Sequence, residues 1–255
     1  MKTPAHVAHF SVRSYEVDPS GVLRPVVLLR MLQETAWQHA SALGKGYADR
    51  SGGELFWVLS RLRMRIDSLP RWSESFSIRT QPVGVQKLFA LREFELADAR
   101  EQTTGRVLSA WLLVDAERGR PVRPEKLLSD IPLGEQEYEA DISALPAIGG
   151  DLPADDPDRG CGVITTIDPS PVLPHHIDQY NHVNNAAYLE WVVDAIESGA
   201  PESIHPPFEL AIGFLKETVL GEHFAIRLQK ADGEIRADIE RPPENEALAR
   251  LRFRL

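Results

Sequence analysis

The residues best suited to chemistry lie together in HHIDQYNHVNN, positions 175–185, where an extended stretch gives way to a helix. A helix start presents unpaired backbone N–H groups and the positive end of the helix dipole. Asn184 or Asn185 has the side chain to cap it. An oxyanion developing on a carbonyl placed there would meet pre-oriented donors. His182 sits just before the helix, and an imidazole there can act as a base near neutral pH. The plainer alternative is ordinary N-capping beside solvated histidines. A second candidate is Glu217. Residues 208–220 form an apolar, strand-like run, and a carboxylate near its end needs a partner or a shifted pKa, unless it simply faces solvent. Opposite an imidazole it becomes a candidate base. Histidines 175, 176 and 182 lack a carboxylate or cysteine at recognised ligand spacing, so no metal is expected.

The elements that must position these groups occur twice. In the first half an alternating stretch, 9–18, precedes a run from Pro25 to Ala40 that has no breaker after its first-turn proline and ends near Gly44. Apolar on most sides, that run predicts a helix buried over most of its circumference. Strand-like runs follow at about 55–66, 74–82, 85–97 and 106–115. The second half keeps the order: extended over 171–178, helical over 184–198, then strands at about 207–216, 222–230, 234–241 and 246–254. At an offset of 160, Asp18 falls on Asp178 and Leu29 on Leu189; at 148, ESFSIR from Glu74 falls on EHFAIR from Glu222. The first half's longer loop after its helix, rich in glycine, accounts for the change of offset. Residues 134–160, dense in Gly, Pro and Asp, read as a surface linker. The expected class is therefore α+β: a unit at 1–133 and a unit at 161–255, each an antiparallel sheet around a long helix, together a double hotdog.

The repeat also contrasts the halves. Val22 stands opposite His182, Pro25 opposite Asn185 and Leu69 opposite Glu217, so the first half keeps the frame without the reactive side chains. It is expected to be degenerate and to bind rather than react. The formal charge of −10 disfavours nucleic acid and anionic membranes as partners, and no apolar run of 18 residues is present to span a bilayer. The single cysteine, Cys161, excludes an internal disulfide and fits a reducing compartment, read as the cytoplasm.

The pattern D-x-x-x-H-V-N-N-x-x-Y, met by Asp178, His182, Val183, Asn184, Asn185 and Tyr188, resembles the signature of hotdog-fold thioesterases. With VRSYEVD at 12–18, LQETAWQH at 32–39, WLLVD at 111–115 and RPVRP at 120–124, the chain resembles the acyl-acyl carrier protein thioesterases of plants and bacteria. That resemblance implies hydrolysis of fatty acyl thioesters on acyl carrier protein, without a cofactor. It implies that Asp178 orients His182 and that His182 and Glu217 activate water. The family's Asn position falls on Tyr180, with Asn181 displaced by one; either would position water or the carbonyl. The amides of Asn184 and Asn185 would hold the oxyanion. Thr218 occupies the family's cysteine position, which points to water as nucleophile, with Cys161 passive. SRLRMRI, 60–66, places Arg61, Arg63 and Arg65 on one strand face, either a landing patch for the acidic carrier protein and its phosphopantetheine or a solvated face. An acyl-CoA thioesterase and a non-catalytic acyl-thioester-binding module are the competing readings, and monomer and homodimer are both compatible with an internal duplication.

Overall fold

The computed structural model describes residues 5–46, 55–145, 147–148, 164–199, 204–231 and 233–255. It divides into two compact units, Met1–Ile142 and Ser143–Leu255, and the division falls inside the expected linker. The first contains β1 (His6–Ser11), α1 (Pro25–Ala42), β2 (Leu55–Ile66), β3 (Ser75–Gln86), β4 (Phe89–Asp98), β5 (Thr103–Asp115), the short β6 (Arg120–Val122) and a one-turn α2 (Glu125–Leu128). Its strands pair antiparallel in the order β1-β3-β4-β5-β2, with β6 on β5. The second contains β7 (Ile164–Pro171), α3 (Asn185–Gly199), β8 (Phe208–Phe214), β9 (His223–Ala231), β10 (Glu234–Arg241) and β11 (Glu246–Arg254). Its order, β7-β9-β10-β11-β8, is that of the first unit.

Each helix is the apolar spine of its unit. Pro25 starts α1 at a position where no amide donor is needed, and Leu28, Leu29 and Leu32 are almost wholly shielded. Gly44, at φ 67°, follows its end, where a left-handed residue closes the last turn. In α3 the shielded residues include Ala186, Tyr188, Leu189 and Val192. Such burial on most sides is what a helix seated on a sheet requires.

Three expectations need correction. The first strand ends at Ser11, because residues 13–16 turn: Glu16 N–H donates to the Arg13 carbonyl and Arg13 N–H to the Glu16 carboxylate. In the second half 171–178 is not a strand. β7 lies earlier and 174–176 form a 3-10 turn, with prolines at 169, 171 and 174 unable to donate to a ladder. The described part of the connecting segment, 134–145 and 147–148, lacks helix and strand but is not wholly superficial. Ile142 packs on Leu108 and Ala110 within the first unit, and Glu137 N–H donates to Glu93. Within the second, buried Ile148 donates its N–H to Asp238, whose carboxyl burial pushes up.

Candidate active site

The loop into α3 is built by backbone bonds that the first unit reproduces. Asp178 N–H donates to the His182 carbonyl at 2.9 Å, as Asp18 N–H does to Val22, also at 2.9 Å. The side chain of Asp178 accepts from Tyr180 N–H at 2.8 Å, as Asp18 accepts from Ser20 N–H at 2.8 Å. Asn181, at φ 63°, takes the left-handed position that Gly21 holds at φ 82°. Asn tolerates that conformation better than other non-glycine residues. Val183 N–H donates to the Thr218 carbonyl, as Leu23 N–H does to Pro70. Both sequence offsets therefore describe real spatial equivalences.

Upon this frame the second unit places what the first lacks. His182 Nε2 lies 3.5 Å from Glu217 Oε2, two side chains far apart in the chain brought together by the Val183–Thr218 bond. The equivalent positions are Val22 and the buried Leu69. Asp178 reaches His182 through the backbone: its carboxylate is engaged with the Tyr180 amide in an Asx turn. Tyr180 lies beside it, its hydroxyl within 3.2 Å of Gln179 Nε2, and Asn181 faces solvent.

Asn184 is the helix cap, its Oδ1 accepting from Ala186 N–H at 2.8 Å. Its own amide donates to the His176 carbonyl at 2.8 Å, so the expected pair of oxyanion donors loses one member. Ala187 N–H is also engaged, with the Asn184 carbonyl. Asn185 N–H is the first-turn amide for which the described residues supply no acceptor. A single backbone donor beside an imidazole–carboxylate pair is an arrangement able to activate water against a polarised carbonyl.

Local spacing did not reveal the supports of this pair. Thr218 is buried, and the Tyr188 hydroxyl lies 2.9 Å from its Oγ1 and 3.3 Å from the Lys216 carbonyl. Burial pushes the Tyr188 phenol up to about 12, so it stays a protonated donor. Trp191 Nε1 donates to His176 Nε2 at 3.1 Å, stacks on Phe224 and fixes the floor beneath the loop. The motif had marked Tyr188 without assigning it a partner. Cys161 lies outside the described residues.

The arginine stripe is not a free patch. The register shift in β2 falls between Leu59 and Arg61, and from Arg61 to Ile66 the pairing with β5 runs unbroken, so the three arginines keep their alternation but not their freedom. Arg61 Nη1 donates to the Ile142 carbonyl at 2.9 Å and stacks over Phe89, and buried Arg63 donates to the Asp141 carbonyl. Only Arg65 of the three is solvent-facing, 3.2 Å from Asp67.

Comparison with known proteins agrees with the geometry. Residues 4–131 match the acyl-ACP thioesterase N-terminal domain and residues 166–246 the acyl-ACP thioesterase C-terminal domain. The chain belongs to the acyl-ACP thioesterase family. This family member is 26% identical over 218 residues to oleoyl-acyl carrier protein thioesterase 1, chloroplastic, of Arabidopsis thaliana, covering 80% of this chain and 57% of that protein. It is 24% identical over 209 residues to dodecanoyl-[acyl-carrier-protein] hydrolase, chloroplastic, of Cinnamomum camphora, covering 77% and 52%. The thioesterase-family chain thus spans about half the length of the curated relatives it matches. Among solved structures it resembles an acyl-ACP thioesterase from Bacteroides thetaiotaomicron, with a TM-score of 0.82 and 22% identity over 98% of this chain and 96% of that one. It also resembles a 12:0-ACP thioesterase from Umbellularia californica, with a TM-score of 0.75, 18% identity and coverage of 98% and 96%. These likenesses establish the double-hotdog fold of this acyl-ACP thioesterase family member.

Proposed function

We propose that the protein hydrolyses fatty acyl thioesters carried on the phosphopantetheine of acyl carrier protein, releasing free fatty acid and the carrier thiol. The observation that carries the proposal is the 3.5 Å approach of His182 Nε2 to Glu217 Oε2 in the one unit that has both side chains. Hydrogen bonds of this kind are commonly long before substrate binds.

In the proposed reaction Glu217 and His182 take a proton from water as its oxygen attacks the thioester carbonyl carbon. The oxyanion forms against the Asn185 amide. Collapse breaks the carbon–sulfur bond, and the departing thiolate recovers the proton from His182. Thr218 supplies no thiol at the position next to Glu217, and its hydroxyl is tied to Tyr188, which supports direct attack by water. Asp178 holds the His182 loop through the backbone and Asn181 contributes its left-handed conformation, and the role proposed for Tyr180 is that of a neighbour to the acyl carbonyl or the water. The first unit, with Val22 and Leu69, binds the acyl chain without reacting. The single cysteine supports a reducing setting such as the cytoplasm, whereas the plant relatives above are chloroplastic by name.

Engagement of Arg61 and Arg63 with the chain's own carbonyls leaves Arg65 as the residue of that stripe open to a carrier protein, which favours acyl-CoA as a second substrate class. The test is thiol release from matched acyl chains on carrier protein and on CoA. A kcat/KM at least about tenfold higher on the carrier, corresponding to about 1.4 kcal/mol, is expected. Equal values would assign the CoA reading, and binding without thiol release would assign a non-catalytic module. His182→Ala should lower kcat by roughly 10² to 10⁴, the scale of general acid–base catalysis.

A further inference from the structure

We propose that Arg241 is a positioning residue for Glu217, holding the turn that presents this carboxylate to His182; the inference rests on reading Glu217 as a base. Arg241 is the last residue of β10. Its Nη2 donates to the Glu217 carbonyl at 2.8 Å and to Glu222 Oε2 at 3.0 Å, while Nη1 pairs with Glu246 Oε2 on β11. One planar guanidinium thereby ties residue 217, the far end of the turn at 222, and the neighbouring strand into one rigid set, which a point-charge ammonium cannot reproduce. On the other side of Glu217 the Tyr188 hydroxyl meets Thr218 and the Lys216 carbonyl. The carboxylate itself projects toward solvent, so its direction depends on how firmly its backbone is held.

The repeat supplies an internal control. Glu222 Oε2 accepts from Val219 N–H at 3.1 Å, and the equivalent Glu74 Oε2 accepts from Arg71 N–H at 2.8 Å. The turn therefore forms in both units by the same carboxylate–amide bond. The registers pair Ala225 with Glu240 and the equivalent Ser77 with Ala97, which sets Asp98 opposite Arg241. Asp98 instead caps its own hairpin, accepting from Arg100 N–H and Gln102 N–H. Leu28 stands likewise where the second unit has Tyr188. The unit without His182 and Glu217 makes the same turn with Asp98, not an arginine, at the position of Arg241; the guanidinium of Arg71, which lies within that turn, donates to the Ser20 carbonyl instead. Arg241 is thus an addition confined to the half that carries the pair, beyond what the turn needs to form.

The test is a cycle between Arg241→Met and Glu217→Gln in the full chain, read as kcat and KM on an acyl thioester. Arg241→Met is expected to lower kcat about 10–100-fold, the scale at which supports of a reacting group act. KM should stay within about threefold of wild type, and Arg241→Lys should restore only part of the loss. In the Glu217→Gln background the Arg241→Met penalty should shrink to about threefold or less, because the residue it positions is already disabled. A kcat within about threefold of wild type for Arg241→Met, or the same fold loss in both backgrounds, overturns the proposal. Should Arg241→Met not fold, Arg241→Lys in the same two backgrounds decides by the same criterion. Near-normal turnover of Glu217→Gln alone would mark failure of the underlying site reading.

Discussion

Glu217→Gln separates a chemical from a structural role for the carboxylate, because the structure assigns the two very different magnitudes. The His182–Glu217 pair spans 3.5 Å, but its side chains are 40% and 58% exposed. Two unit charges at that distance in water attract by about 1.2 kcal/mol before salt screening. Exposed pairs are measured at about 0.2–1 kcal/mol. Gln keeps the size of the side chain, and the Arg241 bond is made to the backbone carbonyl, which the substitution leaves in place. The expected loss of stability is therefore at most about 1 kcal/mol, and the melting temperature should fall by no more than about 4 °C. Removal of the base should lower kcat by roughly 10² to 10⁴. At about 1.36 kcal/mol per decade this is about 2.7–5.4 kcal/mol of barrier, several times the stability term. The assay pairs initial rates of thiol release with a thermal melt of the same preparation. Turnover within about threefold of wild type would refute the role of Glu217 as base. Loss of activity with a melting temperature lowered by 10 °C or more, far beyond the range allowed for about 1 kcal/mol, would refute its separation from the fold.

Two further outcomes follow from the loop and its floor. Asn181→Gly preserves the left-handed backbone at φ 63° and should leave melting temperature and kcat close to wild type, whereas Asn181→Ala should cost about 1 kcal/mol in a melt. A tenfold fall in kcat for the Gly variant at an unchanged melting temperature would assign the amide side chain a chemical role instead. His176 has its pKa lowered from 6.5 by burial first and by neighbouring His175 second, against a smaller opposing effect of Glu190. Below pH 6.5 the unfolded chain then binds a proton that the folded chain resists, so stability should fall as pH drops through and below that value. Melts between pH 5 and 8 should show a shallower acid slope for His176→Gln, since Gln takes up no proton; an unchanged slope would exclude His176 as a source.

The amino-acid sequence by itself determined the duplicated architecture and the asymmetry of its halves. The reason is local. Helices and strands announce themselves through periodicity, prolines and glycines within a dozen residues, and two copies of one pattern reinforce each other. The equivalences of Asp18 with Asp178 and of Glu74 with Glu222 were thereby legible before any contact was known, and with them Val22 opposite His182 and Leu69 opposite Glu217. Tertiary structure alone decided which polar groups were available. The amide of Asn184 is taken by the His176 carbonyl across a 3-10 turn that prolines substitute for the expected strand. Arg61 and Arg63 are engaged by carbonyls 81 and 78 positions away, and Arg241 reaches the Glu217 carbonyl across 24. A donor's partner at such separations follows from strand register and from where a connecting segment folds back, and neither leaves a mark in the spacing of nearby residues.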